Sequence, residues 1–175
     1  MKRIKNTLEL MKEPLLAVLS ALLISQFLIM HTRIPSGSMI PTIEPGDHLI
    51  VNLIPSYYRE PKKGEIVVFE YGGEHLIKRV IGEPGDIIDL AEGKVYINGN
   101  EIDETSYIHT YNSTREYAGS EIDFPYTVPK DSYFMMGDNR EGSADSRIFG
   151  AISKDAIIAI GAFKIFPFQT IGVLK

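Results

Sequence analysis

Apolar and polar positions divide the chain into two parts. No residue from Pro14 to Thr32 is charged, and residues 15–30 read Leu-Leu-Ala-Val-Leu-Ser-Ala-Leu-Leu-Ile-Ser-Gln-Phe-Leu-Ile-Met. The run approaches the ~20 residues a helix needs to cross a bilayer, which predicts one transmembrane helix over about residues 14–32. From Asp47 on, short apolar runs alternate with turn residues, the pattern of a mostly β domain. Residues 48–54, 65–71, 75–81, 87–90, 94–97, 126–128, 132–136 and 156–163 read as strands, with a turn of helix expected at 153–156. Asn98-Gly99 predicts a type I′ hairpin over about 94–102. Residues 103–124 are polar and read as a long surface loop, a length uncommon unless the loop is functional or flexible. The expected fold is mostly β: an antiparallel β-sheet or partly open barrel over residues 34–175, behind a basic N-terminus and one transmembrane helix in residues 1–33.

Charge orients this arrangement. Lys2, Arg3, Lys5 and Lys12 precede the apolar run. Basic residues prefer the cytoplasmic side, so the N-terminus is expected inside and everything after Arg33 outside the plasma membrane, in a single pass. A cleaved signal peptide is the competing reading. The run is longer than an h-region of about 7 to 15 residues, and no Ala-x-Ala-like site follows it closely. Residues 1–33 carry net +3 and the rest net −8, within a total of −5. An acidic outer domain argues against nucleic acid as a partner. There is no cysteine, which excludes a thiol nucleophile and thiolate metal sites. His31, His48, His75 and His109 show no helical i, i+4 pairing, so no metal site is expected, and no cofactor.

Candidate chemistry lies in three stretches. Pro35-Ser36-Gly37-Ser38-Met39-Ile40-Pro41-Thr42 has no hydrophobic period, and its Pro and Gly residues allow a defined irregular shape that can present a hydroxyl. Read alone it is equally a linker between anchor and domain. A serine hydroxyl needs a base. Along the strand at 75–81, alternation puts Lys78 on one face with Leu76 and Val80, and His75 on the other. Apolar surroundings lower a lysine's pKa. An unperturbed lysine near 10.4 is neutral only about once in 10³ at pH 7. The competing reading is a lysine that snorkels to water. The third stretch, Gly137-Asp138-Asn139-Arg140-Glu141-Gly142-Ser143-Ala144-Asp145-Ser146-Arg147, packs charges and hydroxyls into a Gly-punctuated segment. It reads as a solvated loop, or as a buttress in which Ser143 orients a neutral lysine while Asp145 and Arg147 lock the loop.

Taken in order, these stretches, the second extended through Lys78-Arg79-Val80-Ile81-Gly82-Glu83-Pro84-Gly85-Asp86, resemble the motif boxes of bacterial type I signal peptidases. With the anchor, the resemblance spans nearly the whole chain. It implies a Ser/Lys dyad with Ser38 as nucleophile and Lys78 as general base. It also implies an oxyanion hole of the Ser36 hydroxyl and the Ser38 N–H, Ser143 holding the lysine, and Asp138, Asp145 and Arg147 as supports. The implied activity is removal of signal peptides from exported preproteins with small residues at −1 and −3, at the bilayer surface. Glu141-Gly142 departs from the polar residues the family often has there. The space between the boxes lacks a second β-domain insertion, so the resemblance is to compact, Gram-positive-like members. Endoplasmic-reticulum relatives carry His where Lys78 stands. Two other readings stay open at this point: a catalytically inactive membrane-tethered β-domain that binds peptides, and a self-cleaving Ser/Lys repressor-type peptidase.

Overall fold

The computed structural model describes residues 11–22 and 28–174. Residues 11–22 form a helix, α1, whose side chains are all exposed. Among the described residues no helix is long and apolar enough to cross a membrane. Residues 23–27, in the middle of the expected span, lie outside the described residues. The span's C-terminal end is corrected outright. Ile29–Arg33 form strand β1, paired antiparallel with β2 (His48–Asn52) from Ile29 opposite Asn52 to Arg33 opposite His48. Burial in β1 alternates between exposed and half-buried residues, the period of a strand with one face toward a core. The β domain therefore starts before residue 34. An absence of charge does not distinguish a helix entering lipid from a strand joining a sheet, because both tolerate apolar runs.

The rest of the chain is mostly β, as the alternation predicts. After a 3₁₀ turn at Ile54–Tyr57 come β3 (Ile66–Tyr71), β4 (Glu74–Gly82), β5 (Ile87–Ala91), β6 (Lys94–Ile97) and β7 (Asn100–Glu101). They are followed by β8 (Tyr126–Thr127), β9 (Ser132–Met136), a four-residue helix α2 (Ser146–Phe149), β10 (Ile152–Ser153), β11 (Ile157–Ile160), β12 (Ala162–Phe166) and β13 (Gly172–Val173). The strands form three antiparallel sheets, in the orders β1-β2-β12-β13, β10-β9-β4-β3-β11 and β7-β6-β5-β8. The hairpin at Asn98-Gly99 forms, with φ of 52° and 79° as a type I′ turn requires. The helical turn at Lys154–Ala156 forms too, capped by Ser153, whose hydroxyl accepts from Asp155 N.

The apolar run 156–163, expected as one strand, is two. Gly161 takes φ +83° between β11 and β12, and the chain leaves one sheet for another there. Its N–H donates to Ile66 O and its C=O accepts from Asn52 N, so this one residue stitches the first two sheets together. Buried apolar residues of the sheets gather in clusters, two of which join neighbouring sheets. Leu49, Val51, Ile66 and Val68 pack with Ile34, Met39 and Ile43 of the irregular stretch. Val67, Phe69, Val80, Tyr133 and Met135 form a second cluster, and Ile81, Ile88, Val95, Phe134 and Met136 a third. Loop 103–124 holds no regular element, yet it is no mere surface loop: Glu104, Ser113 and Thr114 are buried.

Candidate active site

Residues 35–42 hold their shape through their own apolar side chains and a clamp from the third stretch. Met39 and Ile43 are buried, and Ile43 N donates to Met39 O over 2.9 Å. Asn139 grips the neighbouring backbone twice: its N–H donates to Ser38 O (3.0 Å) and its side-chain amide to Gly37 O (2.9 Å). Gly137 makes that approach possible. A Cβ there would lie 2.4 Å from Ser38 O and 2.2 Å from Ser143 Oγ, well inside contact distance. Ser38 is left half-buried, its hydroxyl facing β4.

Lys78 meets it from β4. Across the ladder Lys78 lies opposite Val67, and its face neighbours Leu76 and Val80 pack with Val67 and Phe69, so the apolar company inferred from alternation is present. Its side chain is 3% exposed. Nζ shares a 2.9 Å hydrogen bond with Ser38 Oγ and donates to Ile77 O over 3.0 Å. Burial pushes the Lys78 amine below its ordinary value, against the opposing pull of Asp145 and Asp138. His75, the alternative base on this strand, is exposed.

The support residues are locked in forks. Asp138 receives Arg79 Nε (2.8 Å) and Nη2 (2.7 Å), with Thr42 Oγ1 donating to the same carboxylate. Asp145 receives Arg147 Nε and Nη2, both at 2.8 Å, caps α2 through Arg147 N, and accepts from Gly137 N over 3.0 Å. Asp145 thus holds the backbone two residues before the Asn139 clamp on Ser38. The expected bond from Ser143 to Lys78 is not formed: among the described residues Ser143 Oγ, buried against Gly137, has no hydrogen-bond partner. The lysine amine turns to the Ile77 carbonyl instead.

Several contributors escaped sequence reasoning. Arg140 is buried and paired with Glu104, whose carboxylate also accepts from Tyr107 OH. Arg140 further donates to Thr114 Oγ1 and Gly137 O. Lys164 pairs with buried Asp47 and donates to Thr42 O, bracing the far end of the stretch from β12. These partners lie far apart in sequence, and only Arg140 of the third stretch hinted that an acid elsewhere must answer it.

Ser38 and Lys78 open into a groove of about 470 Å³ that Ser36 also lines, with Ile34, Met39, Ile43, Val68 and Ile77 as apolar walls. Two strand edges border it. β1 ends its sheet, and β9 pairs with β4 only at Arg79–Gly82, leaving Glu74–Lys78 without a strand on that side among the described residues. Another cleft of about 510 Å³, lined by residues of the 93–112 region, holds neither residue.

Residues 7–166 match the family described as signal peptidase, peptidase S26. The chain belongs to this signal peptidase family. Its relatives include signal peptidase I T of Bacillus subtilis (strain 168), 39% identical over 99% of this chain and 93% of that protein. Signal peptidase I of Bacillus amyloliquefaciens is 37% identical over 94% of this chain and 90% of its own length. The crystal structure of a signal peptidase I from Enterococcus faecalis V583 aligns at a TM-score of 0.49 with 28% identity, covering 58% of this chain and 97% of that one. Membership makes the protein a peptidase of the signal peptidase kind.

Proposed function

We propose that this protein is a membrane-bound serine endopeptidase that removes signal peptides from exported preproteins, with Ser38 as nucleophile and neutral Lys78 as general base. The observation that carries the reading is the 2.9 Å contact between Lys78 Nζ and Ser38 Oγ, made by a buried amine that among the described residues bonds no carboxylate directly. A lysine in that setting can be deprotonated near neutral pH, and hydrogen-bond distance is the first requirement for a base. With the amine neutral, the Ser38 hydroxyl is the donor. Nζ takes its proton as Oγ attacks the scissile carbonyl carbon, and returns it to the departing amine as the C–N bond breaks. Lys78 then deprotonates a water, which attacks the acyl ester and frees Ser38. The Ser36 hydroxyl and the Ser38 N–H stabilise the oxyanion. Asp138, Asp145 and Arg147 support the site.

An extended substrate can add as a strand between the edges of β1 and Glu74–Lys78, since main-chain pairing gives affinity while wall pockets select side chains. The apolar walls suit small residues at −1 and −3. One side of the first sheet supports a place at the bilayer. The register puts Ile29, Phe163, Phe166 and Val173 on the same face, all exposed, and Phe168 and Ile171 of the adjoining turn are exposed beside them. Exposed apolar surface of this kind marks an interaction site. The N-terminal segment is proposed to anchor the chain in a single pass, N-terminus inside and the β domain outside.

Preprotein cleavage by the detergent-solubilised full chain tests the reading. Ser38→Ala and Lys78→Met are expected to nearly abolish cleavage, and Ser36→Ala to slow it roughly 10²- to 10³-fold, as loss of one oxyanion donor does elsewhere. Wild-type rates from folded Lys78→Met would rule out the dyad.

A further inference from the structure

His31 and His48 come together across the first sheet. In the register of β1 with β2, His31 lies opposite Ile50 and His48 opposite Arg33, so the two histidines are diagonal neighbours on one face. Long and aromatic side chains bridge that spacing. His31 is exposed and His48 half-buried. Their nitrogens meet: His31 Nε2 lies 3.0 Å from His48 Nδ1, with ring centroids 5.1 Å apart. The Phe166 ring of β12 packs in a T against that of His48, centroids 5.6 Å apart, and fixes its position. Seventeen positions separate the two histidines, so only strand pairing, and no helical spacing, makes them a pair.

We propose that His31 and His48 form a two-histidine site for a divalent transition-metal ion of the kind imidazole suits, such as Zn²⁺ or Cu²⁺. Two imidazole nitrogens about 2.0–2.1 Å from one ion stand roughly 2.8–3.4 Å apart, from square-planar to tetrahedral angles. The observed 3.0 Å falls inside that window. In the metal-free pair one ring carries its proton on the facing nitrogen. That proton passes to the same ring's other nitrogen when the ion binds, which frees both facing lone pairs and changes the charge of neither ring. Both rings reach the surface, so small rotations can aim the lone pairs at one ion and water can fill its other positions. Among the described residues no cluster of three His, Asp or Glu side chains could hold a metal, so the ion is exchangeable rather than a fixed structural one. Arg33, the charged residue of β1, lies on the same face and opposes a cation there. The ion ties β1 to β2 through side chains as well as backbone. Since β1 ends its sheet and His31 borders the groove, the tie stiffens one wall of that groove. The site stands independently of the Ser38–Lys78 reading.

The test titrates the untagged full chain, in detergent and stripped of metal by a chelator, with Zn²⁺ by calorimetry in the absence of substrate. One saturable site is expected. His31→Gln and His48→Gln are each expected to weaken it by at least the roughly 10- to 100-fold that losing a residue which merely orients a metal ligand costs. His75→Gln and His109→Gln, both at exposed positions away from the pair, are expected to bind as the wild type does. Arg33→Gln is expected to bind more tightly. Binding is expected to weaken as the pH falls, because protons compete for the same nitrogens. Saturating Zn²⁺ is expected to raise the melting temperature of the wild type but of neither pair variant, since an ion that binds the folded chain stabilises it. Melting curves in chelator show whether each variant folds. If half-buried His48→Gln does not, exposed His31→Gln decides alone. The absence of a saturable site, or wild-type affinity in a folded pair variant, overturns the proposal.

Discussion

Removing Glu104 tests whether loop 103–124 is part of the protein's core structure. Its carboxylate answers buried Arg140 through two guanidinium contacts and accepts from Tyr107 OH. Arg140 is 2% exposed, so Glu104→Ala leaves a guanidinium in the interior with, among the described residues, only Thr114 and the Gly137 carbonyl as acceptors. Breaking a buried pair from one side costs about 3–5 kcal/mol, mostly for the charge left behind. At about 2–4 °C per kcal/mol for a domain of this size, the melting temperature is expected to fall by roughly 6–20 °C. Thermal unfolding of the full chain in detergent, followed by circular dichroism, measures it. Lys94 and Glu101 form an exposed pair, and Glu101→Ala is the control, expected to cost about 0–1 kcal/mol. Converting both partners, Glu104→Gln with Arg140→Met, should recover most of the loss, because no charge is then stranded. A Glu104→Ala melting temperature within the range of the Glu101 control would refute the reasoning and return the loop to the status of a surface appendage.

Lys78→Met should stabilise the protein at neutral pH. Burial lowers the folded pKa of Lys78 below its unfolded value, so the unfolded chain binds the extra proton and wild-type stability rises with pH between the two values. That rise, about 1.4 kcal/mol per unit of separation, is expected to vanish from denaturant titrations of the variant. Ser143→Ala removes a buried hydroxyl that has no partner among the described residues and is expected to raise stability by about 1 kcal/mol in the same titrations. A loss of that size would mean the hydroxyl has a partner after all. Phe163→Ser combined with Phe168→Ser should slow cleavage of preproteins in vesicles several-fold while sparing a short soluble peptide; equal slowing of both substrates would contradict a lipid contact for that sheet face.

Much was legible in the chain because it is local. Alternation placed most of the strands, and Asn98-Gly99 placed the hairpin, since period and turn chemistry act over a few residues. The apolar setting of Lys78 followed from Leu76 and Val80, two residues away on either side. Where sequence reading went astray, the deciding partner was distant. The run from 14 to 32 looked uniform, but the backbone of residues 29–33 is taken up by β2. The run from 156 to 163 looked like one strand, but Gly161 divides it between two sheets.

At the site the division is the same. Sequence alone determined which residues could do the chemistry: a serine beside glycine and prolines, a lysine on an apolar strand face, and a stretch with more charge than a turn requires. Tertiary structure alone decided who meets whom. Ser38 lies 40 positions from Lys78, Arg79 lies 59 from Asp138, and Glu104 lies 36 from Arg140. Hydrogen bonds and charges act over a few ångströms, and no period in the chain encodes a distance set by three sheets packing together. Hence sequence could suggest that Ser143 holds the lysine, and only the packed fold could turn Lys78 to the Ile77 carbonyl and leave the Ser143 hydroxyl alone.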